Sequence, residues 1–201
     1  MSPQAMTTAR PRAMPPLLCV WLWAVLCLLG TAPVVADEAP GFEVESAGLD
    51  LDEGSYWLSA ALRLRFSEET EAALDNGVPL TLELRLEIVQ PRWWWWDAEV
   101  VNFSNRYRIR YHALSRRFVL TDLNSGESRS FARLDSLLRA LSEVEGLLVA
   151  REEDLSAGER YQVRLRVRLD TEALPQPLQA VAYMSPQWRL QSDWYTWHVE
   201  P

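Results

Sequence analysis

Leu80 to Ile88 reads Leu-Thr-Leu-Glu-Leu-Arg-Leu-Glu-Ile, and this stretch decides the fold. Leucine or isoleucine at every second position, with Thr81, Glu83, Arg85 and Glu87 between them, is a period of two. Successive side chains of a strand point to opposite faces, so this period predicts a strand with one buried and one polar side. Pro91 ends it.

The same period recurs outward on both sides. Tyr56 to Phe66 places Leu58, Ala60, Leu62, Leu64 and Phe66 against Ser59, Ala61, Arg63 and Arg65. Beyond the tryptophans, Val101, Phe103, Tyr107, Ile109 and Tyr111 alternate with Asn102, Ser104, Arg106, Arg108 and Arg110. Tyr161, Val163, Leu165, Val167 and Leu169 do so with Gln162, Arg164, Arg166 and Arg168. Phe42 to Asp52 reads as a strand interrupted at Ala47 and Gly48, and Gln187 to Val199 as a last one. Phe118 to Leu120, the Asn124-Ser125-Gly126 turn and Phe131 predict a hairpin.

Two segments break this rhythm. Ser67, followed by Glu68, Glu69 and Glu71, has the composition of a helix N-cap and acidic first turn, and Gly77 closes the helix. Phe131, Leu134, Leu138, Leu141 and Val144 recur at helical spacing, which predicts an amphipathic helix over Ala132 to Glu143 ended by Gly146. Long strands, hairpins and no strand-helix-strand repeat predict a mainly β fold. It is an antiparallel sheet or β-sandwich with two inserted helices, the alternative being an α+β layer with the second helix across one face.

The front of the chain sets the compartment. Arg10 and Arg12 precede an apolar run from Leu17 to Gly30, and short side chains at Val34 and Ala36 stand before Asp37 and Glu38. This is the layout of a signal peptide cleaved after Ala36. The rival reading is an uncleaved N-terminal anchor, since Leu17 to Ala36 is charge-free and about the 20 residues a membrane span needs. Either way, residues 37–201 are expected in the periplasm as a single β-rich domain. Both cysteines, Cys19 and Cys27, fall inside the apolar run, so the mature part offers no disulfide, cysteine-zinc site or thiol nucleophile. All 20 basic residues are arginine; without Arg10 and Arg12, 18 of them face 28 acids, a net charge of −10. That balance disfavours nucleic acid as a partner.

Catalytic motifs are sparse. The two histidines, His112 and His198, sit in no triad frame, and the nucleophile-elbow, zinc-protease, phosphate-loop and dinucleotide signatures are absent. Glu152, Glu153 and Asp154 read as a solvated loop. Asp50, Asp52 and Glu53 open like a calcium loop but lack the later glutamate, so neither a metal nor another cofactor is expected. Paired carboxylates keep one enzymatic alternative open, a hydrolase of an envelope polymer.

Two features invite a binding role. Trp93, Trp94, Trp95 and Trp96 run consecutively; in an extended segment two rings face each way. They are either an aromatic corner clamping a sheet edge or a contact for a partner or membrane surface. The second is the set Arg63, Arg65, Arg106, Arg108, Arg110, Arg164, Arg166 and Arg168, each on the polar side of its strand. Like charges on neighbouring strands repel. They are neutralised either by ladders to Glu83, Glu87 and Glu99 or by an anionic ligand or acidic partner, which the guanidinium fork suits.

Further residues carry a resemblance. Asn76-Gly77-Val78-Pro79-Leu80, Arg92 with the tryptophans and Asp97, Tyr107-Arg108 and Tyr111-His112-Ala113-Leu114-Ser115 come first. Leu123-Asn124 with Gly126-Glu127, Gly158-Glu159-Arg160-Tyr161, and the ending Ser192 with Trp194-Tyr195-Thr196-Trp197 follow. Together they resemble a domain-of-unknown-function family of exported Gram-negative proteins. The resemblance implies a signal segment and one domain, transfers no catalytic residues, and hints at an envelope signalling partner, because some members are found beside a membrane sensor kinase of the nitrogen-regulation type.

Overall fold

The strand read at Leu80 to Ile88 is β3, Leu80–Gln90, in a computed structural model that describes residues 39–91 and 98–201. The signal or anchor segment and Trp93, Trp94, Trp95 and Trp96 lie outside the described residues. β3 is flanked on both edges, by β4 (Ala98–His112) and by β8 (Tyr161–Leu169), in antiparallel register. β5 (Arg117–Asp122), β6 (Ser128–Phe131) and β9 (Tyr195–Val199) complete a six-stranded sheet of order β6-β5-β4-β3-β8-β9. A second sheet, order β1-β2-β7, is built from β1 (Gly41–Asp52), β2 (Ser55–Arg65) and β7 (Glu143–Arg151).

The inner faces of both sheets feed one core. Leu82, Leu84, Leu86 and Ile88 of β3 join Val163 and Leu165 of β8 and Leu58, Leu62 and Leu64 of β2, all nearly or fully buried. The fold is therefore mainly β with antiparallel sheets and inserted helices, as the alternation predicts. β1 runs through Ala47 and Gly48 unbroken, its irregularity falling instead between Val44 and Ser46.

There are three α-helices among the described residues, not two. In α1 (Glu68–Asp75), Ser67 is the N-cap and forms a capping box with Thr70, while its hydroxyl also donates to the Gln187 carbonyl at 2.8 Å. Helix α2 is shorter than its apolar spacing suggests, Leu134–Ser142, and the chain passes straight into β7. Val144 continues the helical spacing only by coincidence: it is buried as an inward residue of β7, paired with Ala60, and Gly146 takes a left-handed φ of 63° within that strand rather than ending the helix. The third helix, α3 (Gln176–Met184), precedes the segment expected as the last strand. Pro177 lies in its first turn, where a missing N–H costs nothing. The last strand starts only at Tyr195; Pro186–Trp188 is a 3-10 turn that buries Trp188. Among the described residues no helix is long and apolar enough to cross a membrane.

Candidate functional site

Because β3 lies between β4 and β8, its polar face is flanked on both sides. Glu83 stands opposite Arg106 on one side and Arg168 on the other, Arg85 opposite Ser104 and Arg166, and Glu87 opposite Asn102 and Arg164. This arrangement sorts the arginines into three groups.

Arg164 and Arg168 of β8 are engaged within the sheet. Arg168 donates through Nε to Glu83, whose other oxygen accepts from the Ser104 hydroxyl at 2.9 Å. Arg164 donates through Nη2 to Glu87 at 2.5 Å, and Arg85 Nε lies 3.1 Å from the second Glu87 oxygen without hydrogen-bond alignment. Burial alone would raise the Glu83 carboxyl; the hydrogen bonds from Arg168 and Ser104, with the charges of Arg168 and Arg85, outweigh it and hold the group below its ordinary range.

Arg166 stands directly opposite Arg85, a like-charge pair that costs stability unless something offsets it. The offset is Trp194, whose ring lies 4.5 Å from the Arg166 guanidinium and 5.4 Å from that of Arg164. The Nε atoms of Arg85, Arg164 and Arg166 are buried without a hydrogen-bond partner. Sequence reading did not place Trp194 at this face. The one signal was its place within Gln187 to Val199, the segment expected as the last strand.

The β4 arginines form the third group. Arg106 and Arg110 are exposed and Arg108 half-buried, and among the described residues no carboxylate lies within 4.0 Å of any of the three. Their cross-strand neighbours beyond Glu83 are uncharged: Thr81 and Thr121 beside Arg108, Val119 beside Arg110. Glu99 contributes nothing to them, its carboxylate accepting instead from Asn102 at 3.0 Å. His112 continues this strip at the exposed end of β4.

Arg63 and Arg65 are not part of this surface. They belong to β2 in the other sheet, where Arg63 pairs with Glu43 at 2.8 Å and with Glu45. Six of the eight arginines singled out by sequence thus share one face and two do not.

The model of one protein family, described as a domain of unknown function (DUF4390), matches residues 39–198. This chain belongs to the DUF4390 family. The match spans both sheets, so the arginine face and the strands that carry it lie within the DUF4390 domain. No curated protein and no solved structure matches the chain.

Elsewhere, a cavity of about 640 Å³ lies between the β5–β6 hairpin and β7. Asp122, Glu127, Glu143 and Glu145 line it. Carboxylate-based hydrolysis needs one carboxyl held protonated beside an ionised one. Among the described residues, the carboxyl that burial and neighbouring acids raise is Glu71, on α1 and not among the residues lining the cavity. No group of three or more metal-ligating side chains is gathered among the described residues.

Proposed function

We propose that this DUF4390 protein is a non-enzymatic binding module of the cell envelope, exported to the periplasm by its N-terminal segment and capturing an anionic partner on the arginine face. The observation that carries the reading is the contrast between strands. Arg164 and Arg168 of β8 engage Glu87 and Glu83, whereas Arg106, Arg108 and Arg110 project from the same face with no carboxylate within 4.0 Å among the described residues. Guanidinium groups at alternate positions of one strand recur about every 7 Å, and their planar forks suit carboxylate or phosphate. Arg164, Arg166 and Arg168 extend the positive surface, with Trp194 fixing the orientation of Arg166. Trp93, Trp94, Trp95 and Trp96, at the β3–β4 connection, are assigned to the partner or membrane-surface contact. An acidic face of an envelope protein, such as a membrane sensor kinase, is the partner class that the family resemblance favours.

Alanine at Arg106, Arg108 and Arg110 together is expected to weaken partner capture from envelope extract about 100-fold, if each screened contact contributes about 1 kcal/mol. These side chains anchor nothing inside the fold, so the melting temperature is expected to move little. Lysine at the same positions keeps the charge and is expected to retain part of the capture. Undiminished capture by the alanine variant would reduce the strip to a scaffold feature. A hydrolase would instead release soluble fragments from envelope polymer, an assay that separates the two readings.

A further inference from the structure

The cavity between the β5–β6 hairpin and β7 has two unlike walls. One is the hairpin, with Asp122, Glu127 and Arg129; the other is β7, with Glu143 and Glu145; Leu120 and Leu141 are among the apolar side chains between them. Its volume, about 640 Å³, falls within the range of about 300–1,000 Å³ typical of ligand sites.

Three observations bear on what could fill it. First, among the described residues β7 pairs with β2 along one side and with no strand along the other, so an edge with hydrogen-bonding capacity borders the cavity. This edge also carries Leu148, a leucine 45% exposed. Second, Glu127, Glu143 and Glu145 are exposed and have no ion-pair partner within 4.0 Å among the described residues. Asp122, by contrast, is engaged: its oxygens accept from Asn105 Nδ2 at 3.0 Å and from the Asn124 and Ser125 amides. Third, Tyr107 reaches this cavity with its phenol pushed up by burial and, further, by the Asp122 charge, so it stays a neutral hydrogen-bonding group.

Charges on an edge strand often serve only to prevent unwanted pairing. That accounts for Glu143 and Glu145. It does not account for Glu127, which stands across the cavity on the hairpin. Acids on both walls around an apolar floor describe a slot for a cation-bearing chain.

We infer that β7 and this cavity form a second docking site, distinct from the arginine face, for an extended basic peptide segment. The segment adds as a strand to the open edge of β7. Its arginine or lysine side chains meet Glu127, Glu143 and Glu145, and its alternate apolar side chains cover the floor. The net charge of −10 on residues 37–201 favours such a partner.

The test titrates the purified protein with an acetylated, amidated Arg-Val-Arg-Val-Arg peptide, following calorimetry and amide hydrogen exchange. The expected result is saturable binding, with slowed exchange along Glu143–Leu148. The corresponding Glu-Val-Glu-Val-Glu peptide is expected not to bind, and a backbone N-methylated basic peptide to lose most of its affinity. The triple variant Glu127→Gln, Glu143→Gln, Glu145→Gln changes only exposed side chains and is expected to bind at least ~10-fold more weakly. Alanine at Arg106, Arg108 and Arg110 is expected to leave this binding unchanged, which separates it from capture on the arginine face. Absence of saturable binding, equal binding by the glutamine variant, or full binding by the N-methylated peptide would each overturn the proposal. Dimerisation through β7 without peptide would overturn it as well, by making a second copy the occupant.

Discussion

Leu86→Ala is expected to cost about 2–5 kcal/mol of folding stability. Leu86 is fully buried and stands opposite Phe103 of β4 and Leu165 of β8. Truncation removes three carbon atoms from a site whose backbone is hydrogen-bonded to strands on both sides. The surroundings therefore collapse poorly, and most of the cavity penalty remains. For a domain of this size each kcal/mol shifts the midpoint by about 2–4 °C, so thermal unfolding followed by circular dichroism is expected to show a fall of roughly 5–15 °C. Leu51→Ala supplies the contrast: Leu51 is 50% exposed at the end of β1, and its truncation is expected to change stability by no more than about 0.5 kcal/mol. Similar effects at the two positions would mean that β3 is not the centre of the core.

The second large effect lies one residue further along β3, on the other face. Glu87→Ala removes the carboxylate that accepts from Arg164 and lies 3.1 Å from Arg85. The Glu87 side chain is 9% exposed, while those of Arg85 and Arg164 are 33% and 35% exposed. Orphaning a fully buried ion costs about 3–5 kcal/mol; with about a third of each arginine in water, the expectation falls to about 2 kcal/mol. The loss has a signature that a packing defect lacks. Sulfate or phosphate is expected to restore much of it by binding the freed guanidinium groups, whereas Leu86→Ala is expected to gain no more than the wild type does. A Glu87→Ala variant as stable as wild type would show that the ladder contributes nothing net.

Acid unfolding reads the same network through Glu83. Its carboxyl is held below the ordinary value of 4.5, so the native state binds the proton less tightly than the unfolded chain does. The stability this confers is complete above pH 4.5 and is lost as the pH falls through the native-state pKa. Glu83→Gln is expected to lower the neutral-pH melting temperature and to flatten its dependence on pH below 4.5. An unchanged acid limb would mean that the Arg168 and Ser104 bonds do not bias the ionisation of Glu83.

What could be read locally was read well. β2, β3, β4 and β8 are visible because alternation is a property of five or more consecutive residues, and Ser67 is visible because a cap acts within one helical turn. β7 escaped because Val144 satisfies both the helical spacing from Leu141 and an inward strand position. The helix α3 escaped because Pro177, which reads as a breaker, is tolerated in a first turn.

The functional surface divides along the same line. Alternation alone put arginines on the polar sides of β2, β4 and β8, and composition alone made the chain acidic and lysine-free. Only the tertiary structure decided that β3 would run between β4 and β8, giving Arg164 and Arg168 their carboxylates and leaving Arg106, Arg108 and Arg110 without any among the described residues. It also placed β2 in the other sheet, removing Arg63 and Arg65 from the face, and left β7 at the sheet edge with no second strand beside it among the described residues. The physical reason is that side-chain alternation is dictated by the geometry of a single strand. The choice of lateral neighbour is settled by packing between segments as far apart as Glu87 and Arg164, and strands sharing one pattern do not specify it individually.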